Sequence, residues 1–249
     1  MRWSEQEGVR WLEASLPGAR VAFSTRLGGA SASPFDSLNL GILTEDAPAA
    51  VLENRHRLTA ALGLRADQVA IAHQVHGAEL LTHAGPQRPG PFAEAGAAEP
   101  LEADGHVTAV PGLAPLVFVA DCLPVALAGP GGVAMLHCGW RGLASGIVAR
   151  GVEAVGATDA AIGPGIGACC YEVDEEVLGA FAGLGDGVAS GRMLDLSEAA
   201  QRLLSEAGVE RIESAGLCTS CEHELFFSHR RDAGRTGRQA GLAWIDRGD

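Results

Sequence analysis

Apolar residues in this chain come mostly in short blocks, with few long helical stripes. Val21-Ala-Phe-Ser-Thr25 reads as a strand, and the glycine-, serine- and proline-rich run 28–34 behind it predicts a loop. Val51, Leu58 and Leu62 share one side of a predicted helix over 46–62. Asp46 is its expected cap, Pro48 suits its first turn and Gly63 ends it. The most apolar stretch holds three blocks, 116–120, 125–128 and 133–136, punctuated by Pro124 and by the glycines of 129–132. Such blocks predict buried strands, the last two joined in a tight hairpin. Further on, 142–155 predicts a small-residue helix packed on that sheet, and 160–162 a strand entering the glycine turn 163–167. A helix over 197–207 is expected with Ser197 as cap and Gly208 as stop, and 240–245 as a last strand. Asp174-Glu-Glu176 suits the first turn of a helix. Residues 85–101, rich in Gly, Pro and Ala, predict a long surface loop because they offer little to bury. Strand-like and helical runs alternate without a repeat. The expected class is α/β, one compact domain over residues 1–249 with mixed β-sheets flanked by helices.

Composition narrows the function. A chain of 249 residues, 47% apolar and 20% charged, can bury one substantial core. A formal charge of −13 argues against nucleic-acid and anionic-membrane partners, though a few local arginines can still receive an anionic substrate. The first twenty residues are charged throughout, so no secretory signal is read there. No apolar run approaches the roughly 18 residues that span a bilayer. A cytoplasmic protein is expected, and its six cysteines read as thiols or ligands before disulfides. Cys169 and Cys170 are not expected to pair with each other. Cys218-Thr-Ser-Cys221 lacks a second CxxC, so neither a zinc ribbon nor a redox motif is expected there. The basic stretch from Arg230 and Arg231 to Arg238 reads as a solvated loop before a phosphate site.

Chemistry concentrates where apolar blocks end. Cys122, in Ala120-Asp-Cys-Leu-Pro124, and His137 flank the predicted hairpin, so adjacent strands can bring thiol and imidazole together. A buried structural cysteine and a satisfied histidine are the plainer alternative. Gln74-Val-His-Gly77 adds a third group, His76, with His73 as a competitor. Two imidazoles and a thiolate match zinc and leave its fourth position open, as catalytic zinc requires. Copper can take the same donors. No two of the eight histidines form a His-x-His pair, which argues against a blue-copper oxidase.

Phe23-Ser-Thr-Arg-Leu-Gly-Gly29, Ser37-Leu-Asn-Leu-Gly41, Asn54-Arg55, Gln74-Val-His-Gly77, Ala120-Asp-Cys-Leu-Pro124, His137-Cys-Gly-Trp-Arg-Gly142 and Phe226-Phe-Ser-His-Arg-Arg231 resemble, in order, the motifs of the YfiH family. It is also called the laccase-domain or polyphenol-oxidase family. The resemblance implies a zinc site of His76, Cys122 and His137, favouring His76 over His73. It implies phosphorolysis of adenosine, inosine, guanosine or methylthioadenosine, and deamination of adenosine. Its substrates would be purine nucleosides and phosphate, in a monomer or homodimer. It also implies a fold shared with a toxin deamidase that uses a Cys–His pair. Cys138 departs from the family, which usually has alanine there, and is read as a space-filling residue.

Within that frame Arg26 and Arg141 are candidates to orient phosphate, against a role in structural ion pairs. Asn39 is a candidate for base or ribose, or else holds its local turn. Asp121 is a candidate general base or partner of a ligating histidine, against a turn carboxylate. Besides a copper-binding polyphenol oxidase, which the family's label suggests, two rival readings remain. One makes Cys122 a nucleophile with His137 as its base, in a thiol hydrolase or amidase editing peptidoglycan precursors. The other is a zinc-binding interaction protein.

Overall fold

Period-two alternation along the apolar blocks builds two sheets, each covered on both faces. A computed structural model describes residues 1–87, 90–94 and 101–246. Its strands are β1 (Arg2–Gln6), β2 (Val9–Leu16), β3 (Ala19–Ser24), β4 (Val69–Ala70), β5 (Leu80–His83), β6 (Gly105–Thr108) and β7 (Ala114–Val119). They continue with β8 (Leu123–Gly129), β9 (Gly132–Cys138), β10 (Asp159–Ile162), β11 (Ala189–Ser190), β12 (Met193–Leu194), β13 (Arg211–Ser214) and β14 (Gln239–Ile245). The helices are α1 (Pro48–Ala61), α2 (Trp140–Ala144), α3 (Ile147–Val155), α4 (Glu175–Phe181) and α5 (Leu196–Glu206).

One six-stranded sheet runs β1-β2-β3-β14-β7-β4, the other β13-β10-β8-β9-β6-β5, and β11-β12 form a small ribbon. Both large sheets are mixed, as expected: β4–β7, β10–β13 and β5–β6 pair in parallel and the other pairs are antiparallel. Alternate residues of each strand serve different cores. On β9, Ala134, Leu136 and Cys138 face the α3 side, whereas Val133 and Met135 pack between the sheets with Val21, Phe23 and Val117. On β14, Ala240, Leu242 and Trp244 meet Leu58 of α1, whereas Ala243 joins the inter-sheet core. Helices therefore cover the outer faces of two stacked sheets. Strands buried on both faces need apolar residues at nearly every position, which is why these runs read as continuous blocks.

Several local expectations change. Asp46 does not cap α1; Ala47 holds that position without a side-chain bond, and Asp46 Oδ2 instead accepts from Ser31 and Asn39. Asp195, not Ser197, caps α5 by accepting the Glu198 amide. The helix expected over 142–155 is two helices, because Gly146 takes a left-handed conformation between α2 and α3. Of the loop expected over 85–101, residues 88, 89 and 95–100 lie outside the described residues. The described part is not all surface. Phe92 is wholly buried, stacks on Phe118 and lies under the Arg55 guanidinium, which donates to the Pro91 and Phe92 carbonyls. The N-terminal strands β1 and β2 had no counterpart in the sequence reading. Asp174 caps α4, with Glu175 and Glu176 in its first turn, as expected.

Candidate metal centre

The β8–β9 hairpin sets the centre. Its register runs from Leu123 opposite Cys138 to Gly129 opposite Gly132, and puts Pro124 opposite His137. Cys122, just ahead of β8, is thereby brought to the side of His137. His76 arrives from the loop between β4 and β5. The ligand atoms of His76, Cys122 and His137 all lie within 4.8 Å of one another, and the two imidazole centroids are 4.9 Å apart at 70°. His73 is exposed and outside this group; its backbone forms a parallel bridge with the Glu102 segment. Gly139 is required here, since a Cβ on it would stand 3.0 Å from Cys122 Sγ and 3.3 Å from His76 Cδ2.

A carboxylate that sequence reading missed organises the three. Asp104, buried just before β6, accepts from His137 Nδ1 at 2.7 Å through Oδ1. The same group accepts the amides of Val75, His76 and Gly77 at 3.0, 2.9 and 2.7 Å. Those bonds hold His76 at φ +60, a conformation uncommon for any residue but glycine. The only signal in the sequence is an acidic residue abutting an apolar run.

Charge in the site is coupled. Burial alone would raise the Asp104 carboxyl, but bonds from His137, Gly77 and Val75 outweigh it and hold it below the ordinary carboxylate range. Burial opposes a charged Cys122, yet the His137 charge and bonds from His137 and His76 pull its thiol down. His137 moves up for the reciprocal reason. Among these side chains the thiolate is the favoured state, which is the form that ligates metals. With two imidazoles, one thiolate and a carboxylate behind His137, the donor set fits a single borderline-soft ion with room for a further ligand.

A cleft of about 450 Å³ is lined by none of the three but by Trp140 and Arg141, which follow Gly139 in the chain, with Tyr171, Glu172, Arg192 and Arg230 among others. Arg141 is exposed and lies over the Trp140 ring at 4.4 Å. Arg230 lies over Tyr171 at 5.2 Å and donates to the Glu172 carbonyl. Tyr171 is close enough to Cys122 and Asp121 that their charges, after burial, help push its hydroxyl up to about 12. Tyr171 and Trp140 were not foreseen as site residues.

Asp121 stands next to Cys122 at φ +94, but both carboxylate oxygens are engaged, accepting from Thr219 Oγ1 and the Arg230 amide at 2.7 Å each. It thus fixes two neighbouring segments and makes no contact with a ligating histidine. Arg26 is tied to the Asp36 and His223 carbonyls and to the Asp36 carboxylate, over the Phe227 ring. Asn39 is wholly buried, its amide spent on Thr44, Asp46, Gly41 and the Arg238 amide. Both hold loops together: the Asn39 side-chain amide is fully bonded within the protein, and Arg26 is bonded through its Nε, Nη1 and Nη2 atoms. The 230–238 stretch is solvated only in part: Arg230 and Arg235 are exposed, whereas Thr236 and Gly237 are buried. Arg231 is paired to Asp232 and donates to Thr219 and Phe226 carbonyls. Cys138 is buried on the α3 side and fills space, as expected.

Residues 20–246 match the family described as multi-copper polyphenol oxidoreductase laccase. A protein of Deinococcus radiodurans named purine nucleoside phosphorylase is 43% identical, covering 96% of this chain and 94% of its own. The crystal structure of Bacillus licheniformis hypothetical protein YfiH gives a TM-score of 0.87 at 32% identity, over 98% of this chain and 99% of that one. YlmD from Geobacillus stearothermophilus gives 0.86 at 34% identity, over 98% of both chains.

Proposed function

Because the chain belongs to the multi-copper polyphenol oxidoreductase laccase, or YfiH, family, we propose that it is a zinc-dependent purine nucleoside phosphorylase. Its substrates are adenosine, inosine, guanosine and methylthioadenosine with phosphate, and it also deaminates adenosine. The observation that carries the reading is the convergence of His76, Cys122 and His137, backed by Asp104, together with a cleft lined by the exposed Arg141 and by Trp140 and Tyr171. The name carried by the Deinococcus radiodurans relative supports the substrate class.

His76, Cys122 and His137 would hold the zinc, which would supply Lewis-acid chemistry when bound. Asp104 fixes the His137 tautomer with the proton on Nδ1, leaving Nε2 for the ion. Arg141 holds phosphate by charge-assisted hydrogen bonds. Trp140 and Tyr171 offer ring faces to the purine. Phosphorolysis joins a phosphate oxygen to the anomeric carbon as the glycosidic C–N bond breaks and its electron pair leaves with the purine. Asp121 serves as a positioning residue, holding Arg230 and Thr219 around the cleft. The described histidines do not form the multi-histidine cluster that several coppers need, so the donor set fits one ion better than the family's oxidase description. Reduced cysteines suit a cytoplasmic location.

A second reading has one observation in its favour: His137 meets Cys122 on one side and Asp104 on the other, the layout of a Cys–His–Asp hydrolase. Incubating the purified protein with adenosine, with and without phosphate, separates the two. Phosphate-dependent release of adenine, and phosphate-independent release of inosine, both lost to a chelator and restored by zinc, support the first reading. Zinc-loaded protein that forms neither product overturns it, and amidase activity that survives chelation favours the second.

A further inference from the structure

The glycine turn before Tyr171 and the 218–221 segment place four cysteines together, in a group that shares no residue with the centre described above. The sulfurs of Cys169, Cys170, Cys218 and Cys221 all lie within 4.8 Å of one another. Cys221 Sγ is 3.5 Å from both Cys169 Sγ and Cys170 Sγ, and all four thiols are free. Four thiolates around one zinc at about 2.3 Å stand roughly 3.8 Å apart, so these spacings approach those of a tetrahedral site. We propose that Cys169, Cys170, Cys218 and Cys221 form a second, structural metal site that takes zinc as a closed tetrathiolate.

The surroundings are built for it. Gly165 bridges Cys218 in parallel, with the Thr219 amide donating to the Gly165 carbonyl at 2.9 Å, so the two segments cannot slide. The Gly167 amide donates to Cys218 Sγ at 3.2 Å. Amide donors of this kind stabilise thiolate ligands. Gly167 leaves the room: a Cβ there would stand 3.1 Å from Cys218 Cβ and 3.3 Å from Cys169 Sγ. The sequence hid the site because one half is a vicinal pair and only the other a CxxC, so the spacing lacks the ribbon signature.

Four protein ligands leave no open position, which marks a structural and not a catalytic ion. Binding converts thiols to thiolates as the zinc–sulfur bonds form, and the protons leave to solvent. What the ion ties together is the cleft. Tyr171 and Glu172 follow Cys170 directly, and Thr219, next to Cys218, donates to Asp121. This inference does not rest on the proposed activity and is tested apart from it.

The test is zinc content and X-ray absorption on full-length protein purified anaerobically with reductant. The Cys122→Ser variant removes the only sulfur of the histidine site, so it should retain about one zinc with about four sulfurs at about 2.3 Å. Adding Cys221→Ser should remove that ion and lower the melting temperature. Should Cys122→Ser not fold, the wild type decides: about two zinc per chain averaging about 2.5 sulfurs each support the site, against about one sulfur if only the histidine site fills. A Cys122→Ser protein without zinc, a zinc shell without sulfur, or two disulfides among the four cysteines overturns the proposal.

Discussion

Asp104 Oδ1 accepts a hydrogen bond from His137 Nδ1 at 2.7 Å, both side chains being buried. The same carboxylate accepts the His76 amide. One acidic residue therefore orients one candidate ligand through its ring and another through its backbone. Asp104→Asn puts an NH2 group among amide donors and His137 N–H, where only an acceptor fits. Zinc affinity and kcat/KM for nucleoside phosphorolysis should each fall about 10–100-fold. Competition with a chromogenic chelator and initial rates check this, and unchanged values would sink the assigned role.

Cys122→Ser should abolish zinc at the histidine site and lower phosphorolysis by about a hundredfold or more, since it removes a ligand and not only its support. Circular dichroism should show an intact fold. Full activity with normal zinc at this site would rule out ligation by Cys122.

Arg141 has the Trp140 ring beneath it and lies free in the cleft. In Arg141→Ala the phosphate KM should rise about tenfold, equivalent to about 1.4 kcal/mol, while the nucleoside KM changes less. A rise confined to the nucleoside would transfer Arg141 to base or ribose recognition.

Phe92 fills the outer core between Arg55 and Phe118. Phe92→Ala should destabilise the chain by about 3–5 kcal/mol, measured from urea unfolding midpoints. A loss below about 1 kcal/mol would mean that this segment peels off without disturbing the core.

The pair His83 and His106, 2.9 Å apart, gives a pH dependence of stability. Burial, then the His83 charge, push His106 down to about 3, and burial also lowers His83. The unfolded chain binds protons near pH 6.5 while the folded chain resists them. Unfolding is therefore favoured as pH falls: the stabilisation is complete above about 6.5 and is lost progressively towards about 3. The melting temperature should drop between pH 7.5 and pH 5, and His106→Gln should flatten that slope. Equal slopes in both proteins would refute the account.

The core strands were legible in the sequence because their information is local. The blocks of β7, β8 and β9 need apolar residues at successive positions, and the glycines between β8 and β9 mark the reversal that joins Cys122 to His137. The residue types at the candidate centre were also visible, because two imidazoles and a thiolate advertise their chemistry wherever they lie. Helix ends were read less well: Asp46 and Ser197 are good caps by type, but each is drawn to a tertiary partner, Ser31 with Asn39 in one case and Ser214 in the other.

Only the tertiary structure decided which groups meet. Asp104 reaches His137 across 33 residues, and Cys169 reaches Cys221 across 52, and no local periodicity encodes either approach. It also engaged the side-chain amide of Asn39 fully, and three guanidinium nitrogens of Arg26, in holding loops together. Residue chemistry is written in the chain one position at a time. Whether a polar group is left free to act depends on what packs against it, and that is a property of the folded neighbourhood.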